Sequence, residues 1–433
     1  MPAYGGQMGN DTHGRTGQDI EVRYIGEDEL PVWDRAISRG FLRPYSADAT
    51  EYRRRLFEPG RWQGAFDRSD GGRCVGTFRS FDTELTVPGG AAIEVDAITG
   101  VTVSSTHRRR GLLSGMMRRD LAAARERGSV AAILIASEYN IYGRYGFGPA
   151  TRAHGRQIDL ARAGGLRAEL PDSPGGRIGF VTMEELGKLG PELHERWRLT
   201  QPGAIKRLPT GWQLATGEVQ SPGRVWQEPF AAVHRDAEGA VTGLAVYRVD
   251  DAWDGSCPNC TLTVYDFLAL DRGTAVALWR LLFSVDWVRR IAVANLSPDD
   301  ALPLWLNEPR AATPHPETAD HTWLRLLDLP AAFAARGYAA PGRVVLQVDD
   351  PEGYVDGRWA LEAGADGAGR CTPTEDEPDL ALDAGVLASL YLGGETVPRL
   401  AAAALVTELR PGGVAAADLL LRTPLAPWNP DGF

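Results

Sequence analysis

The 433-residue sequence predicts an α/β protein built from three domains, and three observations support that prediction. Short runs of β-branched and aliphatic residues alternate with amphipathic helical patterns along most of the chain. A chain of this length corresponds to about three domains of ordinary size. Hydrophobic residues form 43% of the chain and charged residues 24%, which is typical of a globular protein with a sizeable core.

Residues 1–18 are rich in glycine and small polar residues, and this composition predicts a disordered leader. The leader lacks the apolar segment of a signal peptide. The longest apolar runs, Val130–Ala136 and Leu400–Val406, are far shorter than a membrane span. We therefore expect a cytoplasmic location and no membrane partner. The net charge of −11 argues against nucleic acid as the main partner.

The most informative segment of the first domain is VTVSSTHRRRG, at residues 101–111. Val101–Val103 alternates as a strand does, Ser104–Thr106 are helix-capping residue types, and a helix is predicted to open at Arg108. The first turn of a helix presents free N–H groups at the positive end of its dipole, which favours anions and disfavours arginines. Because Gly111 also permits close approach to the backbone, the segment predicts a pyrophosphate site. A solvated basic surface is the alternative.

A second motif follows the strand-like run 130–136. It is SEYNIYGRYGFGP, at residues 137–149, and its central tyrosine is Tyr142. The alternative for Tyr142 is a core aromatic, because Tyr145 and Phe147 lie beside it.

Together the two motifs resemble the GNAT acetyltransferase superfamily. RRRGLL, at residues 108–113, is similar to the superfamily's coenzyme-binding pattern Arg/Gln-x-x-Gly-x-Gly/Ala, with leucine replacing the small last residue. The same motifs are similar to those of one branch, the Eis (enhanced intracellular survival) N-acetyltransferases. The segments at 323–330 and 390–393 and the terminal phenylalanine also resemble that family, so the similarity spans nearly the whole chain.

The resemblance implies two GNAT-like domains in tandem and a C-terminal sterol-carrier-protein-like domain. We place the catalytic domain at 19–160, the second domain at 161–310 and the last at 311–433. The second domain repeats the order strand, helix, strand, with the helix at Gly273–Phe283. Its helix begins DRGT, without the arginine run, and we expect this degenerate copy not to bind coenzyme. The last domain shows strand patterns at 344–348 and 359–363 and helical patterns at 330–336, 383–392 and 397–404.

The resemblance further implies an N-acetyltransferase that uses acetyl-CoA as co-substrate and acetylates amines of a cationic substrate, with aminoglycosides as one candidate class. The backbone N–H near Val101 is the expected oxyanion donor. The residues expected to hold the coenzyme are Val101, Thr102, Val103, Arg108, Arg109, Arg110, Gly111, Leu112, Leu113, Ser114, Ser137 and Glu138.

The catalytic residues implied by the resemblance are Tyr142 as general acid and the α-carboxylate of Phe433 as general base. A phenol with an ordinary pKa of about 10 is protonated at neutral pH and able to donate. An α-carboxyl ionises near pH ~3.5, and burial would raise that pKa and make it a better base. The tail carries two aromatics and two prolines, which favours a docked end over a frayed one.

The substrate pocket is expected to be acidic in this family, and the sequence departs from that pattern twice. Only Arg43 is charged in the segment 40–44, where an acid is expected, and Gly432 stands at the family's acidic penultimate position. Asp431 is a candidate to compensate. Fewer negative charges would weaken attraction for polycations.

Four scattered cysteines do not suggest a disulfide framework. Cys257 and Cys260 form a C-x-x-C pair, for which a turn, a zinc site and a redox site are alternatives. No second ligand pair matches, so we expect no metal. The resemblance also implies a homohexamer. A coenzyme A or lipid sensor without catalytic activity is the alternative function, and acetylation of protein lysines is a variant of the first.

Overall fold

The computed structural model describes residues 19–171, 173–220 and 225–433, and the predicted leader at 1–18 lies outside these residues. The chain divides into two compact units. The first consists of the described part of Met1–Ser80 together with Ile98–Ala123, and the second of Phe81–Ala97 together with Ala124–Phe433.

The strands are numbered in chain order. They are β1 Ile20–Tyr24, β2 Trp62–Asp67, β3 Arg73–Thr86, β4 Ala92–Val103, β5 Ala131–Ile135, β6 Gly148–Pro149, β7 Arg152–Ala153, β8 Arg156–Asp159, β9 Arg177–Phe180, β10 Phe230–Arg235, β11 Val241–Val249, β12 Trp253–Asp254, β13 Cys257–Pro258, β14 Cys260–Ala269, β15 Val288–Val293, β16 Ala312–Pro314, β17 Ala319–Asp320, β18 Thr322–Leu326, β19 Gly342–Asp349, β20 Gly357–Ala363, β21 Gly369–Pro373, β22 Leu380–Asp383 and β23 Val406–Glu408.

The α-helices are numbered in the same way. They are α1 Leu30–Gly40, α2 Ala47–Arg54, α3 Leu112–Glu126, α4 Tyr139–Tyr142, α5 Leu160–Ala163, α6 Met183–Arg198, α7 Pro209–Thr216, α8 Arg272–Phe283, α9 Leu302–Trp305, α10 Leu329–Ala335, α11 Ala384–Tyr391, α12 Val397–Ala402 and α13 Gly413–Leu421.

In the first unit, β1 and β2 and then β2 and β3 pair antiparallel, and the order continues to β4. Helix α1 buries its apolar face, which carries Leu30, Trp33 and Ile37, in a small core. The rings of Trp33 and Trp62 meet edge to face at 4.7 Å. Strand β3 is long and runs without a break from Arg73 to Thr86.

In the second unit, the strand order β3-β4-β5-β18-β6 contains a segment from far along the chain. Strand β18 pairs antiparallel with β5, with Trp323 opposite Leu134, and also with β6, with Trp323 opposite Pro149. Hence β18 separates two strands that are close neighbours in sequence. The segment between those strands carries Tyr142, so both of its ends are strands that pair with β18.

A second sheet of this unit has the order β16-β8-β15-β14-β11-β10-β9. Only β14 and β15 pair parallel among its described neighbours, and α8 connects them as a crossover helix. The domain boundaries at 160 and 310 stay predictions, and strand pairing crosses both: β8 precedes the first and joins this sheet, and β16 follows the second and joins it too.

The last sheet has the order β21-β20-β19-β22-β23, and α11 packs against both β6 and β18. The backbones of Gly148 in β6 and Gly385 in α11 lie so close that a Cβ on either would overlap the other segment. The strand patterns at 344–348 and 359–363 fall inside β19 and β20, as predicted. One apolar cluster joins this sheet to β5 and β18.

Candidate active site

The first group of candidate residues lies where β4 leads into α3. Strand β4 ends at Val103 and a short 3-10 turn spans Ser105–His107. Helix α3 begins at Leu112, so the prediction that it opens at Arg108 is wrong. The physical reason is that Arg109 and Gly111 have φ of 64° and 76°, a left-handed conformation that no α-helix accommodates. Residues 108–111, called the arginine loop below, precede the helix.

A buried histidine anchors the start of the arginine loop. His107 Nε2 lies 2.9 Å from Asp67 Oδ2, and its Nδ1 lies 2.8 Å from Thr106 Oγ1. The hydroxyl of Ser69 donates to the other carboxylate oxygen of Asp67 at 2.6 Å. Hydrogen bonds from Ser69 and His107 lower the pKa of Asp67 to about 2, so this carboxylate is charged at neutral pH. His107 therefore ties the loop to β2 and is not a surface residue.

The arginine loop itself is exposed and positively charged. All three of its arginines and Gly111 are exposed. The first intrahelical hydrogen bond of α3 runs from the Gly115 amide to the Gly111 carbonyl at 2.9 Å, so the amides of Leu112 and Leu113 precede the helical ladder. A Cβ on Gly111 or Gly115 would meet no atom within 4 Å. Open space, free helical amides and positive charge thus coincide at one place.

The edge of β4 just before this loop is irregular. Gly100 has φ of 63° inside the strand, a left-handed conformation that departs from regular strand geometry immediately before Val101. Thr77 Oγ1 lies 2.8 Å from the Gly100 carbonyl oxygen and 2.7 Å from Thr102 Oγ1, which fixes the irregular segment. The sequence analysis gave no role to Gly100. An isolated glycine in a strand pattern is nevertheless a signal for a local irregularity of this kind.

The second group of candidate residues follows β5. Ser137 and Glu138 are exposed between β5 and α4, and Tyr142 ends α4. Tyr142 is 8% exposed, and its ring meets Phe147 edge to face at 6.3 Å. Its hydroxyl has no hydrogen-bond partner within residues 19–171, 173–220 and 225–433. Burial, reinforced by Tyr145 and Glu138, raises the pKa of Tyr142 to about 12, so the phenol is protonated at neutral pH.

The turn after Tyr142 rests on a buried ion pair that the sequence did not indicate. Gly146 has φ of 78°, and a Cβ there would overlap the guanidinium of Arg325. Arg325, in β18, is fully buried and donates from Nη2 to Asp350 Oδ2 at 2.6 Å. The only sequence signal is one arginine within an apolar strand. Arg325 thus supports the tyrosine-bearing turn from beneath.

The C-terminal tail, residues 426–433, is docked, as the sequence predicted. Trp428 donates from its backbone N–H to the Pro202 carbonyl at 2.8 Å and from Nε1 to Asn295 Oδ1 at 2.6 Å. Asn429 is fully buried and donates from Nδ2 to Thr322 Oγ1 at 3.1 Å. The tail therefore has specific polar anchors as well as an apolar one.

Asp431 is the charged anchor of the tail. Its Oδ2 lies 2.9 Å from His194 Nε2, and its Oδ1 accepts from Arg207 Nε at 2.6 Å. Burial tends to raise the pKa of Asp431, but the charge of Arg207 and the hydrogen bond from His194 outweigh it and hold the pKa below its ordinary value. Asp431 is buried and paired with His194 and Arg207, which argues against its compensating for Gly432 in an acidic pocket.

The chain ends on a half-buried Phe433, whose ring meets Phe81 edge to face at 5.9 Å. In the part of the chain that the structure describes, its terminal carboxylate forms no ion pair or hydrogen bond. Ser137, Glu138, Tyr142 and Phe433 belong to the second unit. The β4 edge and the arginine loop belong to the first.

Comparison with known proteins matches this architecture. Profiles described as acetyltransferase (GNAT) domains match residues 21–150 and 203–326, and one described as a sterol carrier protein domain matches 329–430. A protein named as an uncharacterized N-acetyltransferase of Streptomyces avermitilis is 48% identical over 420 residues, which cover 96% of this chain and 99% of that protein. The N-acetyltransferase Eis of Mycobacterium tuberculosis is 36% identical over 343 residues, 77% of this chain and 79% of Eis.

The chain belongs to the Eis family of GNAT N-acetyltransferases. It is therefore an acyltransferase, and the GNAT fold implies acetyl-CoA as co-substrate. The crystal structure of Eis1 from Mycobacterium abscessus is 31% identical, with a TM-score of 0.81, and covers 96% of this chain and all of that one. A GNAT structure from Anabaena variabilis shares the fold at 18% identity, with a TM-score of 0.79. The predicted fold class is confirmed.

In the second GNAT domain of this Eis-family chain, an aspartate caps the helix N-terminus at which a phosphate would bind. Asp271 caps α8 and accepts from the Thr274 amide at 2.8 Å and from its hydroxyl at 2.7 Å. Hydrogen bonds from these groups, working against burial, keep the pKa of Asp271 below its ordinary value. A carboxylate thus already satisfies this helix N-terminus, which argues against coenzyme binding there.

The paired cysteines are free thiols: Cys257 is exposed on β13 and Cys260 is buried at the start of β14. Within the described residues, no three or more histidine, cysteine or acidic side chains are grouped to hold a metal ion. Nor does any described helix have the length and apolar character needed to cross a membrane.

Proposed function

We propose that this Eis-family enzyme transfers an acetyl group from acetyl-CoA to an amine of a small cationic molecule, with Tyr142 as general acid and the Phe433 carboxylate as general base. The observation that carries the proposal is the docked C-terminus. Its last residues are fixed by buried polar contacts, yet the carboxylate they present has no partner in the described residues. Base catalysis requires a group that is held in position and is not already used in another hydrogen bond or ion pair.

The arginine loop and the first turn of α3 are proposed to hold the diphosphate of the coenzyme, and the β4 edge from Val101 to Val103 its acyl arm. Ser137 and Glu138 are proposed as further coenzyme-binding residues. When bound, acetyl-CoA supplies an activated acyl carbon and a thiolate leaving group. The amide near Val101 would donate to the oxygen on which negative charge develops.

Two proton transfers complete the reaction. The Phe433 carboxylate removes a proton from the substrate ammonium, which frees the nitrogen electron pair that forms the new C–N bond. Tyr142 donates its phenolic proton to the departing sulfur as the C–S bond breaks. Because burial keeps this phenol protonated up to about pH 12, it is in the correct state throughout the neutral range.

The acceptor is proposed to be a small amine, with aminoglycosides among the candidates. Arg43 is exposed and Gly432 brings no charge, while Asp431 is paired in the interior. Attraction for polycations is therefore weaker than an acidic pocket would give, and mono- and diamines belong in the same test.

The test measures release of the coenzyme A thiol from acetyl-CoA with aminoglycosides, polyamines and lysine peptides. It uses wild type, Tyr142→Phe and a variant with one residue added after Phe433. Turnover that falls sharply in both variants supports both roles. Unchanged turnover in the extended variant rejects the carboxylate base, and tight acetyl-CoA binding without turnover for any amine favours the sensor function.

Assembly into a homohexamer and a cytoplasmic location are proposed from the family relationship. Exposed aromatics at one edge of the second sheet support assembly, since Phe180 on β9 and Phe230 on β10 are mostly exposed and their rings lie 6.5 Å apart. Light scattering after gel filtration distinguishes a hexamer from a monomer, and a monomer that keeps full activity would reject the assembly.

A further inference from the structure

The second GNAT domain contains a cavity of about 370 Å³ where its two parallel strands stop pairing. Strands β14 and β15 pair from Cys260 as far as Val264 opposite Val293. Beyond that point, Asp266 and Phe267 of β14 line one side of the cavity and Asn295 lines the other. This volume is in the range of small-molecule sites in proteins.

The C-terminal tail forms part of the cavity wall. Trp428 and Pro430 line it, and the Trp428 indole is held there by its hydrogen bond to Asn295. Nδ2 of Asn295 in turn donates to the Asn429 carbonyl at 2.8 Å. These contacts use Oδ1 and Nδ2 of Asn295, so the indole provides an apolar, aromatic portion of the wall, and Phe267 lines the cavity as well.

The charge of the cavity is negative. Asp266 Oδ2 accepts from Arg207 Nη1 at 2.6 Å, but the same guanidinium also serves Asp431. One positive charge is thus shared between two carboxylates. Among the described residues, Asp266 Oδ1 is buried with no hydrogen-bond partner. Such an oxygen is costly unless a donor compensates it.

A second carboxylate and an imidazole line the remaining side. Glu317 and His315 both line the cavity. His315 Nδ1 accepts from the Glu317 amide at 3.2 Å, which fixes the imidazole beside Glu317. No lysine or arginine is among the described lining residues, so Glu317 adds a negative charge that none of the lining residues offsets.

We propose that this cavity binds a small organic cation, an amine or amidinium that carries an aromatic or aliphatic body. The cationic end is drawn to Asp266 and Glu317, and the body packs against Trp428 and Phe267, since indole and phenyl faces favour cations and apolar groups alike. A phosphate-bearing ligand does not fit, because Asp271 already caps α8 and the wall is acidic.

The test uses 4-fluorobenzamidine as the probe and 4-fluorobenzamide as its uncharged counterpart, observed by ¹⁹F NMR line broadening with the full-length protein. We expect saturable broadening of the amidine alone. Glu317 is exposed and is not part of the proposed catalytic machinery, so Glu317→Gln is expected to weaken binding about tenfold, as for loss of a charge-assisted contact, with acetyl transfer unchanged.

The matched control is Glu238→Gln, which removes an exposed glutamate from the β10–β11 turn of the same domain and should leave the affinity unchanged. Thr263→Tyr, which fills the cavity from β14, should abolish binding. Three outcomes would each overturn the proposal. They are equal binding of the amidine and the amide, unchanged affinity in both Glu317→Gln and Thr263→Tyr, and no saturable binding at millimolar probe concentration. The last two outcomes leave the acetyltransferase proposal intact, because its own test measures turnover.

Discussion

At the scale of single residues, burial determines the protonation state of Tyr142, the proposed general acid. The phenol is nearly buried and its pKa rises to about 12 because the ionised form loses hydration. Its hydroxyl nevertheless has no partner within the described residues. A buried, uncommitted hydroxyl adds little to stability, so we expect it to be retained for catalysis.

Replacing Tyr142 with phenylalanine therefore separates activity from stability. We expect kcat to fall by about 10²–10⁴-fold, the range for loss of a general acid, with the melting temperature nearly unchanged. Steady-state kinetics and thermal unfolding measure the two effects. Tyr139→Phe, in the exposed first position of the same helix, is the control and should keep its kcat. Equal losses in both variants would contradict the assignment.

The arginine loop gives a second prediction at this scale. Arg110→Ala should raise the KM for acetyl-CoA about tenfold with little change in kcat, because it removes one charge-assisted contact to phosphate. The effect should shrink as salt concentration rises. Arg119→Ala, an exposed position farther along α3, is the control. A KM that rises equally in both variants would show that only the net charge matters.

At the scale of elements, the turn that follows Tyr142 is held by a strand that is remote in sequence. Strand β18 lies between β5 and β6, and its Arg325 occupies the space beside Gly146. The turn is therefore supported by packing as well as by its own hydrogen bonds. A turn that must place one hydroxyl accurately benefits from such rigid support.

Gly146→Ala tests that support. The added methyl group both strains a left-handed backbone and overlaps Arg325, so we expect a loss of about 1–3 kcal/mol or more in unfolding free energy and a lower kcat. Gly128→Ala has a similar positive φ but open space around its Cβ and measures the strain alone. Urea unfolding compares the two. Equal destabilisation would mean that the contact with Arg325 costs nothing.

The tail anchor depends on charge and therefore on pH. Because the pKa of Asp431 is lower in the folded protein than its ordinary value, its contribution to stability is present above that ordinary value and is lost as pH falls through the folded value. Asp431→Asn should cost about 3 kcal/mol at pH 7, as for breaking a buried pair, and flatten the decline in acid. Asp376→Asn, in an exposed pair with Arg343, is the control. Chemical unfolding at several pH values measures both.

At the scale of the whole molecule, the sterol-carrier-like domain shares an apolar cluster with strands that precede it in the chain. Residues of β5, β18, β19 and α11 share one apolar cluster, and Gly148 and Gly385 are in backbone contact. The C-terminal tail also reaches α6 and β14 through Asp431 and its partners. This domain therefore has a structural reason to be present that does not involve lipid.

Truncation after residue 328 follows from this arrangement. The shortened chain would expose the apolar surface of β18 and lose the tail, so we expect it to be insoluble or to unfold without a cooperative transition. Solubility and circular dichroism on heating measure the outcome. A soluble fragment with a sharp transition would show that the first two domains are independent of the third.

Much of this protein is predictable from local sequence. The family, the fold class, the strand before Ser137, the helix at 273–283 and the docked tail all follow from motifs and short patterns, because these depend on neighbours in the chain. The predicted start of α3 is four residues too early, because the capping-type residues Ser104–Thr106 do not reveal the left-handed backbone conformation of Arg109. The irregularity of β4 at Gly100 does have a sequence signal, an isolated glycine within a strand pattern.

By itself the sequence indicated the candidate groups: an arginine-rich segment before a helix, a tyrosine after a buried strand and a terminal phenylalanine. Only the tertiary structure decided which distant segments support them. That β18 separates β5 from β6, and that Asp431 is paired with Arg207 and not available to a substrate, depend on burial and on complementary contacts between residues far apart in the chain. Such contacts leave no local pattern, because their energy comes from excluding water at surfaces that meet only when the chain has folded.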